Sequence, residues 1–226
     1  AGKLSALGQM SAGISHELNQ PLMAIGTFAE NSKQFLQRGE TETAKENLSR
    51  ISEMAHRMGR IIKNLRAFAR NESEAISDVD LVQIIEGALD LSASRRREGD
   101  ITLLWSAPLS PVLVRGGEVR LGQVLLNLIS NACDAMMGQP SRELRIWMSE
   151  NAGRVRVVVS DTGPGIIAPD RIFDPFYTTK EVSASEGMGL GLSISYGLVQ
   201  SFGGDIKGEN KKEGGALFTL ELEQAI

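Results

Sequence analysis

The chain has 226 residues, 42% of them hydrophobic, a formal net charge of −4 and a single cysteine. This length fits one large domain or two small ones, with enough apolar residues for a buried core. The charge gives no reason to expect nucleic acid as a partner, one cysteine excludes an internal disulfide, and no apolar run nears the ~20 residues that cross a bilayer.

The first 70 residues show no strand-like alternation. Leu4, Leu7, Ser11, Ile14, Leu18, Pro21, Ile25, Phe28, Ser32 and Phe35 step by three and four, the spacing of a two-helix seam. Gly39 suits a left-handed helix end, and Thr41-Glu42 suits a new helix start. Ala44, Leu48, Ile51, Ala55, Met58, Ile62, Leu65 and Ala69 form a second seam. Residues 1–70 therefore predict an antiparallel helical hairpin, its first arm roughly 50 Å long at 1.5 Å per residue. A hairpin buries two such seams poorly alone, so a homodimer closing a four-helix bundle is expected through residues 3–70. The pattern opens without a cap, as in a piece of a longer protein. No charged-then-apolar leader precedes it.

His16 lies between the seam residues Ile14 and Leu18, about 200° around the helix from each neighbouring seam position, and therefore outward. Taken alone it reads most simply as a surface histidine. Glu17 beside it can hold one ring nitrogen as N–H and leave the other nucleophilic. Pro21 removes the helix hydrogen bond to the Glu17 carbonyl, which loosens the helix one turn away. His56, followed by Arg57, reads as a surface residue.

The polar residues 71–78 predict a linker or hinge, and 79–226 a second domain. Asp80 is placed to cap a helix over about 81–97. Strands are expected at Ile101–Ser106 and Pro111–Val114, a helix at Gly117–Met136, and strands at Leu144–Ser149 and Val155–Ser160. A helix at Gly189–Phe202 and strands near Asp205–Gly208 and Ala216–Leu222 follow. This order favours one layer of helices on a mixed or mostly antiparallel sheet. Cys133, among apolar helix residues, reads as core.

No Gly-x-x-x-x-Gly-Lys-Ser/Thr loop is present, so this is not a P-loop protein. Asn127, Asn131 and Asp134 fall at i, i+4 and i+7 on one helix stripe. Their oxygens suit Mg²⁺ with phosphate-bound water, though a solvated face explains the same spacing. Asp161 closes a strand and precedes Gly163 and Gly165, where a carboxylate can accept from an exocyclic amine and backbone can approach a flat base; a tight turn is the plainer alternative. Gly187, Gly189 and Gly191 open a helix whose N-terminus presents N–H groups to phosphates.

Ser15-His16-Glu17-Leu18-Asn19-Gln20-Pro21-Leu22 resembles the H-box of sensor histidine kinases. The asparagine, Asp161-Thr162-Gly163-Pro164-Gly165, Phe173-Asp174-Pro175-Phe176-Tyr177-Thr178-Thr179-Lys180 and Gly187–Gly191 segments resemble, in order, the N, G1, F and G2 boxes of their ATP-binding domain. The likeness runs from Lys3 to Leu222 and is nearest in flavour to C4-dicarboxylate-transport sensor kinases. It implies a helical hairpin followed by a two-layer α/β sandwich of the histidine kinase/gyrase type. It further implies ATP and Mg²⁺ as cofactors, with Asn131 and Asn127 at the metal and Lys180 reaching the phosphates beneath a lid over Glu181–Glu186. By the same likeness, His16 takes the γ-phosphoryl group with Glu17 assisting. A response-regulator receiver aspartate then accepts it, and Gln20 occupies the position used for dephosphorylating that partner. The parent protein would be a membrane-anchored bacterial sensor, this chain being its cytoplasmic portion and touching the membrane only through segments it lacks. An ATP-operated clamp that hydrolyses ATP with water, or a scaffold with a degenerate pocket, would share parts of this pattern.

Overall fold

The computed structural model describes residues 2–70, 75–179 and 189–225; within 2–17, 57, 60, 61 and 63–70 it describes the helix and not the side chains. The chain divides into two compact units, one holding Ala1–Glu72 and the other Ser73–Thr179 with Met188–Ile226.

The first unit is the helical hairpin, α1 (Gly2–Gln37) and α2 (Thr41–Arg70). Helix α1 continues unbroken across Pro21, which is buried. Gly39 takes φ +78, and the amide of Glu40 donates to the Phe35 carbonyl at 2.9 Å, closing the helix end. The two arms pack together, with the Arg50 guanidinium 5.6 Å from the Phe28 ring centroid. Ser32, a polar seam residue, is buried and donates its hydroxyl to the Phe28 carbonyl at 2.7 Å, so it costs no unmet donor. Among the described side chains the seam on α1 is covered: Leu18, Ile25, Phe28 and Phe35 are half-buried, while Leu4, Leu7, Ser11 and Ile14, with Leu65 and Ala69 of the second seam, lie outside the described side chains. The seam on α2 divides. Ala44 is buried and Ile51 and Met58 half-buried, whereas Leu48, Ala55 and Ile62 are exposed.

The second unit carries a five-stranded sheet in the order β2-β4-β5-β7-β6, formed by β2 (Thr102–Trp105), β4 (Glu143–Asn151), β5 (Arg154–Ser160), β6 (Asp205–Asn210) and β7 (Ala216–Glu223). Only the β2–β4 pairing is parallel. A two-stranded ribbon, β1 (Ser77–Asp80) with β3 (Leu113–Gly116), sits beside it through a Val114–Gln224 bridge. Period-two alternation puts Leu144, Ile146, Val155, Val157, Val159, Phe218, Leu220 and Leu222 inward. Helix α5 (Glu118–Met136) lies on β4 and β5, with Leu121, Val124, Leu125, Leu128 and Ile129 fully buried. Helix α3 (Leu81–Leu91) packs on α5, and α6 (Gly191–Ser201) packs on α5 and β6. The expected single helical layer on a mixed, mostly antiparallel sheet is the observed architecture.

The differences are local. Asp80 does cap α3, its carboxylate accepting from the Val82 amide at 3.0 Å. The helix expected over 81–97 nevertheless breaks at Ser92, whose hydroxyl turns back to the Leu89 carbonyl, and resumes as α4 (Ala93–Glu98). Strand β1 begins at Ser77, inside the polar stretch expected to be linker, because that segment finds β3 as a ladder partner. Residues 71–74 of that stretch lie outside the described residues. Strand β3 starts two residues past Pro111, which has no amide for a ladder.

Candidate functional site

Asp161 follows the last residue of β5 and is only 2% exposed. Its Oδ1 accepts from the Gly163 amide at 2.8 Å and the Ala216 amide at 3.2 Å, and its own amide donates to the Ala216 carbonyl at 3.1 Å. No hydrogen bond among the described residues uses Oδ2, which is therefore the carboxylate oxygen left for a ligand. Burial pushes the Asp161 carboxyl up from its ordinary value of 3.8, and the two backbone amides and the charge of Lys211 pull it part of the way back. A buried carboxylate tied by one oxygen to backbone is a rigid acceptor, suited to read an amine.

The loop after Asp161 is held on several sides. A Cβ on Gly163 would lie 2.9 Å from the Ala135 carbonyl oxygen of α5, so only glycine lets the loop pass that close. The Thr162 hydroxyl accepts from the Glu143 amide at 3.0 Å and donates to the Ser141 carbonyl at 2.8 Å, fastening the loop to the start of β4. Gly165 stands at φ +86, in the region that favours glycine. Gly215, at φ +89, passes so near the Asp161 carbonyl that any Cβ would collide with it.

Asn127, Asn131 and Asp134 are all half-buried, so their stripe is not a fully solvated face. Asn127 is committed to α6: its Nδ2 donates to the buried Ser195 hydroxyl at 3.0 Å, and its Oδ1 lies where a Cβ of Gly191 would be, 2.5 Å away. The Asn131 carboxamide has no hydrogen-bond partner among the described residues. Asp134 pairs with Arg95 of α4. The stripe thus holds one residue fastening α6, one with a free carboxamide, and one fastening α4. Among the described residues no group of three or more His, Cys, Asp or Glu side chains could hold a metal ion. A cation here would rely on amide oxygen, phosphate and water, a donor set that suits Mg²⁺.

Helix α6 begins at Gly191 and not at Gly189, because Gly189 takes φ +66. A Cβ there would strike the Tyr177 carbonyl, and the Phe176 amide donates to the Gly189 carbonyl at 3.0 Å. Phe176 itself stands at φ +67. The Phe173 and Tyr196 rings meet with centroids 5.3 Å apart, and the Arg171 guanidinium lies 5.0 Å from the Tyr177 centroid. The aromatic segment is therefore fastened to the glycine segment by backbone contact and ring packing. Lys180, Gly187 and the lid residues 181–186 lie outside the described residues.

On α1 the structure places His16 and Glu17 within the helix, their side chains not described, and Gln20 exposed. His56 is exposed, with Nδ1 2.8 Å from the Ser52 carbonyl. Cys133 is fully buried and burial raises its thiol, as a core residue requires. Among the described residues, no helix is long and apolar enough to cross a membrane. Sequence reasoning missed Ser195 and Asn210, and it gave no separate role to Thr162 within the Asp161–Gly165 segment or to Gly215, although Gly214-Gly215-Ala216-Leu217-Phe218 resembles the closing strand of the same family.

A family model described as "Histidine kinase-, DNA gyrase B-, and HSP90-like ATPase" matches residues 116–226, and the "His Kinase A (phospho-acceptor) domain" matches residues 6–74. The C4-dicarboxylate transport sensor protein DctB of Pseudomonas aeruginosa is 44% identical over 98% of this chain, and DctB of Rhizobium meliloti is 38% identical over 100% of it. The chain spans 36% of the length of each. Among solved structures, the histidine kinase ThkA in complex with the response regulator protein TrrA superposes with TM-score 0.69 and 26% identity, over 99% of this chain and 64% of that one. The isolated catalytic domain of ThkA matches with TM-score 0.57 and 29% identity, over 66% of this chain and 96% of that one. An acceptor-histidine hairpin followed by a gyrase-type ATPase sandwich, with relatives of the same build along nearly its whole length, makes this chain a member of the sensor histidine kinases.

Proposed function

We propose that this chain binds MgATP in its second unit, moves the γ-phosphoryl group to His16 and passes it to an aspartate of a response-regulator receiver domain. The observation that carries the reading is Asp161, a carboxylate 2% exposed, held on Oδ1 by two backbone amides, with Oδ2 left to accept from the adenine amine. The phosphates would lie toward the N-terminus of α6, where the first backbone N–H groups of the helix have no intrahelical partner. Asn131 would hold the Mg²⁺ with its amide oxygen, and the ion would neutralise charge on the transferring group. Asn127 would contribute only through Oδ1, its Nδ2 being taken by Ser195.

One imidazole nitrogen of His16 attacks the γ-phosphorus. A P–N bond forms, the bond to the ADP oxygen breaks, and Glu17 takes the proton displaced from the ring. Residues 71–76 serve as the hinge between an acceptor domain of 1–70 and a catalytic domain that opens with β1 at Ser77. Receiver transfer is supported by the likeness to a kinase solved with a response regulator. Gln20 is the residue placed to act on the phosphorylated partner. Homodimerisation is supported by the exposed apolar stripe on α2. The parent protein would be a membrane-anchored sensor with this chain on the cytoplasmic side.

Incubating the purified chain with γ-labelled ATP tests the reading. The expected product is an acid-labile, base-stable phosphoprotein, and His16→Gln should abolish it while ATP binding by calorimetry survives. Label retained at the wild-type level in that variant would remove His16 as the acceptor.

A further inference from the structure

The last residue of β6, Asn210, belongs to none of the nucleotide-binding boxes, yet its side chain closes a two-point clamp on the loop that follows Asp161. Its Oδ1 accepts from the Ile166 amide at 2.5 Å, and its Nδ2 donates to the Ile166 carbonyl at 2.8 Å. One carboxamide thus satisfies both backbone groups of a single residue across a gap of 44 positions in sequence. The fit is close: a Cβ on Gly165 would come within 2.6 Å of Asn210 Oδ1. From the next residue, the Lys211 amide donates to the Gly215 carbonyl at 3.0 Å, and Gly215 abuts the Asp161 carbonyl. The end of β6 therefore grips both flanks of Asp161, the Gly163–Ile166 loop on one side and the turn into β7 on the other.

We infer that Asn210 is a positioning residue for adenine-nucleotide binding, fixing the loop that forms the wall of the base site so that Asp161 Oδ2 meets the exocyclic amine in a preset geometry. This rests on the reading of Asp161 as the adenine acceptor. Without the clamp, the Gly163–Ile166 backbone, flexible at two glycines, must be ordered by the ligand, and that ordering is subtracted from affinity. Only a carboxamide supplies an acceptor and a donor at this spacing, so aspartate in its ionised form keeps one bond and sets a negative oxygen against the Ile166 carbonyl.

The test is calorimetric titration of ATP and ADP into the purified chain and its Asn210→Ala, Asn210→Asp and Asp161→Asn variants, with autophosphorylation kinetics beside it. Losing two hydrogen bonds of ordinary net strength corresponds to a roughly thirtyfold weaker complex. Asn210→Ala should show that loss equally for ATP and ADP, because the base end is affected and the γ-phosphate end is not. KM for ATP should rise by the same factor while kcat at saturating ATP stays within about twofold. In Asn210→Asp, affinity relative to wild type should recover as pH falls from 7 to 4, into the ordinary aspartate range of about 4, since a protonated carboxyl again donates to Ile166. A merely structural defect would lower the melting temperature without that pH signature. Wild-type affinity in Asn210→Ala, a loss confined to ATP, or a flat pH ratio in Asn210→Asp would each overturn the inference. Asp161→Asn separates the two ideas: unchanged affinity there sinks the adenine reading, whereas loss there with none at Asn210 sinks only the clamp. Should Asn210→Ala fail to fold, the pH ratio of Asn210→Asp decides.

Discussion

Asp161 shows how one side chain can carry opposing demands. As the proposed acceptor for the adenine amine it must be ionised to accept strongly; as a buried group it is penalised for ionising, and burial is the largest influence on it. The sign for stability follows from linkage. Its folded pKa is raised, so between the ordinary carboxylate range and that raised value the native state binds more protons than the unfolded one. Stability therefore falls as pH rises through that window and is level above it. Asp161→Asn is near-isosteric and cannot ionise, so its melting temperature relative to wild type should climb as pH rises through the window. Melting curves from pH 4 to pH 8 check this, and a constant difference would mean that burial of the charge costs nothing. Nucleotide affinity of the wild type should move the opposite way, weakening on acidification as the acceptor is neutralised. Asn127 and Asp134 make a related point: residues of the right type at the right spacing for a ligand are, in the folded chain, bonded to Ser195 and Arg95.

Among the elements, the turn between β6 and β7 distinguishes two kinds of glycine requirement. Gly214 and Gly215 both stand at positive φ, +93 and +89, but a Cβ on Gly214 meets nothing within 4 Å whereas one on Gly215 collides with the Asp161 carbonyl. Gly214→Ala should cost about 1 kcal/mol, the strain of a left-handed alanine. Gly215→Ala should exceed it by at least about 2 kcal/mol, because backbone must move and the Asp161 loop moves with it. Urea denaturation of the two variants gives the comparison, and equal losses would show that the turn yields freely. The same logic explains why α6 starts at Gly191. Gly189 is used as a left-handed bend where the aromatic segment crosses, which leaves the helix to begin two residues later.

At the scale of the molecule, the hairpin leaves apolar surface that it cannot cover itself. Leu48 and Ile62 are 53% and 52% exposed and, with Ala55 between them, recur every seven residues down α2. Leu22, Ala29 and Leu36 repeat the same interval on α1. Two stripes of period seven on an antiparallel pair are what a second hairpin needs to complete a four-helix bundle. Charging one stripe with Leu48→Glu and Ile62→Glu together should convert a dimer into a monomer at tens of micromolar, measured by size-exclusion with light scattering. ATP affinity should persist, since Asn127, Asn131, Asp161, Gly189 and Gly191 lie in the second unit. A double variant that stays dimeric would place the interface elsewhere.

What was legible beforehand follows from where the information is local. The two helices of the hairpin, the left-handed Gly39, the cap at Asp80 and the strands β5 and β7 are set by neighbours in sequence, and each stands as expected. One boundary failed where a distant partner decided it: β1 arises from a polar segment because β3 lies beside it. Another failed locally, where the Ser92 hydroxyl bonds the Leu89 carbonyl and splits a helix that propensity alone would continue. The glycine-rich segments were readable as nucleotide-like because their order along the chain is itself distinctive. Which residues hold those segments in place was not readable, since Asn210, Thr162 and Ser195 act across gaps of 44, 19 and 68 positions and leave no spacing rule.

The sequence by itself determined a helical hairpin carrying the adjacent His16 and Glu17, a helix-on-sheet domain, and the order of the motifs, because each depends on short-range periodicity and on residue chemistry. Only the tertiary structure decided which half of the α2 seam is left exposed, which asparagine is free and which is fastened, and what clamps the loop beside Asp161. Those outcomes depend on backbone from remote parts of the chain arriving within hydrogen-bond distance, and packing alone brings it there.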